Sequence, residues 1–135
     1  MTLKYPPAMG QILICDFSSG FVEPEMVKVR PVVVISPKPR KSIHSLCTVV
    51  PLSTTEPLVI EKYHHSLVFD RPLPKPFNAK ACWVKSDMIS TVSYARLSLP
   101  RSGRDTSGNR KYIKISVSPE DIGIIRQCVL HALGF

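Results

Sequence analysis

No apolar run in this chain approaches the ~18 residues that a membrane-spanning helix needs. The longest, Val32-Val33-Val34-Ile35 with its flanks, has the length of a strand. The opening Met1-Thr2-Leu3-Lys4-Tyr5-Pro6-Pro7 lacks the apolar core of an export signal. A basic amphipathic helix is missing too, so a membrane is the weakest of the polyanionic partners. The expected location is the cytoplasm, with no membrane partner. Cys15, Cys47, Cys82 and Cys128 are scattered, with no Cys-x-x-Cys pair and no His-x-His beside them. That spacing gives no zinc site, and neither a metal nor a cofactor is expected. Isolated cysteines in a reducing compartment read as small buried hydrophobes. No internal repeat is visible. Acid is scarce: 10 Asp+Glu stand against 18 Lys+Arg, a net charge of +8. Such an excess attracts polyanions, here nucleic acid or an acidic protein tail.

What is present reads as one domain over residues 1–135, long enough to bury a core without staples. Residues 1–9 form a loose arm broken by Pro6 and Pro7. Gln11–Phe17, Val27–Ser36, Ser45–Ser53, His65–Phe69, Cys82–Lys85, Thr91–Leu97 and Tyr112–Val117 have strand composition or alternation. The β-branched run in the second of these predicts a strand buried on both faces. Ser18–Met26 is a loop, Pro37–Ser42 a basic connection, and Asp70–Lys80 an exposed loop set by Pro72, Pro74 and Pro76. Pro100–Arg110 is the most flexible-looking stretch. One helix over 119–133 is expected from Ser118 at its cap, Pro119 at its first position, Glu120 and Asp121 in its first turn and Gly134 past its end. The fold class is mainly β with a C-terminal helix, arranged as a small open β-barrel.

The first three strands carry the chemistry. Their ends offer an acid (Glu25, with Asp16 and Glu23 near), an arginine (Arg30) and hydroxyls (Ser53, Thr54). RNA brings its own nucleophile, the 2′-hydroxyl. A protein need only take its proton, hold the phosphate in line and stabilise the added charge, with no metal. Arg30 suits the charge role through its planar, permanently protonated fork. Glu25 is the candidate base, and Ser53 and Thr54 can bond the phosphate. The structural alternative for Arg30 is a rim salt bridge to Asp16 or Glu25. Candidate RNA-binding residues are Phe21 and Tyr112 for stacking on bases, and Lys28, Lys38, Arg40, Lys41, His44, Arg101 and Arg104 for phosphates. Arg110 and Lys111 extend the second basic group. His64-His65 reads as a surface pair.

Gly10, Asp16 and Phe17, then Arg30-Pro31-Val32-Val33-Val34-Ile35-Ser36, then Val50-Pro51-Leu52-Ser53-Thr54, and later Trp83-Val84-Lys85-Ser86-Asp87-Met88-Ile89 follow one another in an order that resembles the MazF/PemK toxins of bacterial type II toxin–antitoxin systems. The resemblance implies an SH3-like β-barrel of the MazF/PemK/CcdB kind, usually a homodimer. It implies a metal-independent endoribonuclease, an mRNA interferase, cutting single-stranded RNA at a short sequence to a 2′,3′-cyclic phosphate and a 5′-hydroxyl. It also implies an antitoxin with a disordered acidic segment. Arg30 falls at the family's arginine, Ser53 where a Thr is usual, and Glu25 where some members carry a functional Glu. The chain departs from the pattern at Met26-Val27-Lys28-Val29, where glycine is usual, and in the added length from Pro100 to Val117. A competing reading is a catalytically inactive or repurposed toxin fold that binds an antitoxin, nucleic acid or a protein target without cleavage. A third is a plain nucleic-acid-binding barrel with a basic face.

Overall fold

The computed structural model describes residues 3–39 and 44–135. Arg40 and Lys41 lie outside the described residues. In chain order the elements are β1 (Gln11–Asp16), β2 (Val29–Val34), β3 (Leu46–Ser53), β4 (His64–Val68), β5 (Ala81–Lys85), β6 (Ser90–Ser93), β7 (Leu97–Ser98), β8 (Arg101–Arg104), β9 (Arg110–Tyr112), β10 (Ile115–Ser116) and α1 (Pro119–Leu133). Single 3₁₀ turns occupy Ser86–Met88 and Tyr94–Arg96. The main sheet runs β10-β1-β2-β3-β5-β4, with β6 on β3 and β7 on β1. Among the described residues it does not close, so β10 and β4 end the path.

Alternation explains the apolar runs. Ile12, Val33, Val50 and Leu52 point into one cluster with Leu67, Val84 and the helix residues Ile125 and Val129. Leu13, Cys15, Val32, Val34, Cys47 and Val49 point into a second cluster with Phe17, Val92 and Leu97. Successive side chains of a strand face opposite sides, so a strand feeding two cores is apolar throughout. The helix has the expected ends. Ser118 Oγ accepts the Asp121 N–H at 3.1 Å. Gly134 takes φ 84°, which only glycine adopts freely, and its N–H donates to the carbonyls of His131 and Leu130.

Two segments differ from the sequence expectation. The arm read as loose is docked from Leu3 on: the Leu3 N–H donates to the Leu97 carbonyl at 2.8 Å and Leu3 packs on the second cluster. Half-burial of Leu3 and full burial of Pro7 outweigh the chain-breaking prolines. The Tyr112–Val117 strand is divided. Ile14 pairs with Ser98, and Ile12 with Ile115. β7 and β10 therefore share one edge of β1, interrupted by an excursion that carries the separate hairpin β8–β9. The flexible-looking stretch is that hairpin. Asp105 accepts the N–H groups of Ser107 and Asn109, each at 2.9 Å, and so builds its turn.

The four cysteines are free and buried. Burial pushes the Cys15 thiol up to about 12 and the Cys47 thiol to about 11, and raises Cys82 and Cys128 as well. A thiol pKa raised on folding gives stability that is whole below the unfolded value and drains as pH climbs toward the folded one. For Cys15 that window runs from the ordinary 9.0 to about 12. Ellman's reagent at pH 8 is expected to find almost no reactive thiol in the native protein. After denaturation it should count all four. A rapidly reacting native thiol would contradict the packing.

Candidate active site

Arg30 is the second residue of β2, paired with Cys15 of β1. The β2–β3 ladder pairs Val34 with Val49 and Val32 with Pro51. Continued in the same register, it sets Arg30 level with Ser53 on one face of the sheet. Arg30 is half-buried, its Nε is fully buried without a hydrogen-bond partner, and it makes no ion pair among the described residues. A buried unsatisfied donor costs about 1–3 kcal/mol, more when charged. The rim salt bridge does not form. Asp16 is committed to its own turn, where its carboxylate accepts both the hydroxyl and the N–H of Ser18. Those bonds, the hydroxyl's first and then the N–H's, hold the Asp16 carboxyl below the usual range.

Two cavities meet at Arg30 and Lys28. One, of ≈ 300 Å³, is lined by Arg30, Pro31, Leu52, Thr54 and Phe77. The other, of ≈ 350 Å³, is lined by Arg30, Glu23, Glu25 and Met26. Arg30 thus borders a space with an exposed carboxylate on one side and a hydroxyl on the other. Ser53 is buried, and its Oγ accepts the Thr55 N–H at 3.2 Å, which leaves its hydroxyl proton to donate. The arrangement can hold a phosphodiester against an unneutralised guanidinium, with an acid and the Thr54 hydroxyl beside it, whereas buried Ser53 lines neither cavity.

The other candidates are distributed unevenly. Lys38 and His44 are exposed. They follow the C-terminal end of β2 and precede the N-terminal end of β3, whereas Arg30 and Ser53 sit at the opposite ends of those strands. From Arg30 to Val34 the strand alone spans about 13 Å, so Lys38 and His44 do not join Arg30. Arg101 and Arg104 are exposed on the hairpin, and Tyr112 is half-buried at its base. Phe21 is half-buried, edge-on to Phe17 at 5.1 Å between ring centroids. The Arg96 guanidinium lies 4.9 Å from its ring centre. His65 Nε2 contacts Asp121 at 3.1 Å, tying β4 to the helix start, and His64 Nδ1 accepts the Glu61 N–H at 3.0 Å. Both histidines serve structure.

Arg96 went unseen in the sequence. Its Nη1 donates to the Asp16 carbonyl at 3.0 Å and the Ser19 carbonyl at 2.7 Å. At Gly20, φ +84°, an added Cβ would sit 3.2 Å from Arg96 Nη2. One guanidinium therefore clamps the β1–β2 loop that presents Glu25. Losing two hydrogen bonds and a cation–π contact should release the loop by about 2 kcal/mol, roughly 30-fold in local opening. Arg96→Ala is expected to speed Glu-C cleavage at Glu25 by that order and to lower the thermal midpoint by roughly 5–10 °C, since the same contacts are lost against the unfolded chain. An unchanged nicking rate would show that other contacts hold the loop.

A sequence profile of the PemK-like, MazF-like toxins of type II toxin–antitoxin systems matches residues 8–130. An uncharacterized Haemophilus influenzae protein is 33% identical over 109 residues, 72% of this chain and 73% of its own length. The uncharacterized Escherichia coli protein YifN is 27% identical, covering 98% of this chain and 87% of its own. Among solved structures, a mycobacterial endoribonuclease in complex with its cognate antitoxin superposes with TM-score 0.64 at 21% identity, 96% of each chain being covered. Deinococcus radiodurans MazF does so with TM-score 0.60 at 16% identity, over 98% of this chain and 100% of its own. At these identities the likeness is one of fold: the open, mainly-β sheet with a C-terminal helix is the MazF fold.

Proposed function

The chain belongs to the PemK-like, MazF-like toxin family of type II toxin–antitoxin systems, and from that membership we propose that it is a metal-independent endoribonuclease acting on single-stranded RNA in the cytoplasm. The observation that carries the proposal is that Arg30 lines the cavity it shares with Thr54 and has no ion-pair partner among the described residues. A permanently charged fork without a protein carboxylate is suited to a phosphate.

In this reading the scissile phosphate sits against Arg30, which bonds its non-bridging oxygens and stabilises the charge added as the 2′-hydroxyl attacks. Glu25, across the guanidinium, takes the 2′-hydroxyl proton. Thr54 donates a hydroxyl hydrogen bond that helps hold the phosphate in line. The P–O2′ bond forms as the P–O5′ bond breaks and the leaving O5′ takes a proton from solvent water, which gives a 2′,3′-cyclic phosphate and a 5′-hydroxyl. The proposed partners are an antitoxin with an acidic segment, supported by the net charge of +8, and a second copy of the chain. Exposed Ile124, Leu130 and Leu133 on α1 support the latter. No helix among the described residues is long and apolar enough to cross a membrane.

The test is incubation of antitoxin-free protein with long unstructured RNA in EDTA, with mapping of every end. Cuts at one short sequence with cyclic-phosphate or 3′-phosphate ends are expected. Folded protein that binds RNA or an acidic peptide but cuts none of several RNAs would establish a binding module on the same fold.

A further inference from the structure

The hairpin β8–β9 has no place in the main sheet and no role in the reaction just described. It carries Arg101, Arg104, Arg110 and Lys111, all exposed, against the one carboxylate of Asp105, which is spent on the turn. Tyr112 at its base lines a third cavity, of ≈ 320 Å³, with Arg101, Arg110, Ile14, Pro76 and Phe77. Pro76 and Phe77 also wall the cavity at Arg30. The two floors are neighbours as well: Ile14 of the third cavity pairs with Pro31 of the Arg30 cavity. Adjacent strands lie ~4.8 Å apart. The Pro76–Phe77 ridge is thus the common wall between the Arg30 cavity and one lined by Tyr112, Arg101 and Arg110.

We propose that this third cavity and the hairpin above it form a subsite for nucleotides flanking the cut, with Tyr112 stacking on an unpaired base and Arg101, Arg104 and Arg110 holding the phosphates. The proposal rests on the ribonuclease reading for the position of the scissile phosphate. An aromatic plane between arginines is the pairing that single-stranded nucleic acid needs, since bases offer π-faces and the backbone a regular charge. An acidic peptide would use the arginines and leave the tyrosine idle. Phe77 is packed partly on the core and serves as the shared wall. The hairpin is also held by hydrogen bonds of its own. The Ile113 N–H donates to the Pro100 carbonyl at 3.0 Å, and Arg104 Nη1 closes the turn on the Gly108 carbonyl at 2.8 Å. Its basic side chains are thus displayed from a hydrogen-bonded frame.

The experiment compares wild type with the triple variant Arg101→Ala/Arg104→Ala/Arg110→Ala, and with Tyr112→Phe and Tyr112→Leu. Affinity is read by anisotropy on fully 2′-O-methylated oligonucleotides of about five and about twelve nucleotides, which offer no nucleophile, so the result stands whether or not the protein cuts. The triple variant is expected to bind the longer strand at least tenfold more weakly and the shorter within twofold. Its salt slope on the longer strand should fall by about 2, near 0.7 per lost phosphate contact. Tyr112→Phe should keep the affinity for the longer strand and Tyr112→Leu should lower it about tenfold. Where cleavage is seen, the triple variant raises KM for long RNA and leaves kcat alone. Equal effects on both lengths, or none on either, would overturn the subsite. So would a triple variant that loses only its binding to a polyglutamate peptide, which would assign the hairpin to an acidic protein instead.

Discussion

Replacing Arg30 by alanine is expected to lower RNA cleavage about a thousandfold while leaving the thermal midpoint unchanged or higher. Each half follows from a different property of one side chain. Removing a single donor aimed at developing charge in a preorganised site costs about 10²–10³ in rate. Arg30 supplies two such bonds from one planar group, so the upper end applies. The stability side runs the other way. Arg30 Nε is buried with no acceptor, a penalty of about 1–3 kcal/mol that alanine removes. The lost packing of the arginine stem offsets part of that gain. Arg30→Lys keeps the charge but not the fork, and should retain more activity than alanine, within about a hundredfold of wild type. The check is single-turnover cleavage in EDTA beside a urea melt of each variant. Wild-type cleavage by a folded Arg30→Ala protein would remove Arg30 from the reaction. A large loss of stability would mean that its Nε has a partner in solution.

Much of this arrangement could be read from the chain, for reasons that differ by element. β2 was legible because four apolar β-branched residues in a row have one economical home, a strand between two cores, and Val33 and Val32 do face different clusters. The helix was legible because its ends are local: Ser118 and Gly134 act within a turn of themselves. The excursion from Leu99 to Lys114 was not. Its exposed polar residues carry no burial pattern, and what orders them is pairing of β8 with β9 and the return of β10 to β1. For the site, proximity in sequence misled in one direction and distance in the other. Lys38 and His44 look close to Arg30 and Ser53 along the chain, yet a strand carries them to the opposite end of the sheet. Arg96 is 80 residues from Asp16 and still fixes the loop behind Arg30. Nothing local separates it from an ordinary surface cation. The Asp70–Lys80 loop was placed by its prolines, but only the folded chain sets Pro76 and Phe77 as the ridge between two cavities.

Phe17→Ala should be the mirror image of Arg30→Ala, a loss of fold with the chemical groups left in place. Phe17 is wholly buried among Leu13, Cys15, Val32, Val34 and Leu97 in the second cluster. Its N–H donates to the Lys28 carbonyl at 3.2 Å, joining the two ends of the β1–β2 loop. Its ring meets Phe21 edge-on, so it is also the floor under the loop that Arg96 clamps. Truncating a buried phenylalanine costs about 3–5 kcal/mol, against a total stability of about 5–15 kcal/mol. The thermal midpoint should fall by roughly 10–20 °C. Phe17→Leu fills most of the space and should recover over half of that loss. Cleavage per folded molecule, measured in the cold, should drop far less in Phe17→Ala than in Arg30→Ala, because Arg30, Glu25 and Thr54 all remain. Urea melts give the first quantity, and single-turnover rates corrected for the folded fraction give the second. A Phe17→Ala protein within 1 kcal/mol of wild type would mean that the Phe17 ring adds little to stability, and the loop beside Arg30 would then be held by Arg96 and the backbone bonds that remain. A Phe17→Ala protein that is folded but as inactive as Arg30→Ala would mean that the loop's position sets the rate as strongly as the charge it surrounds.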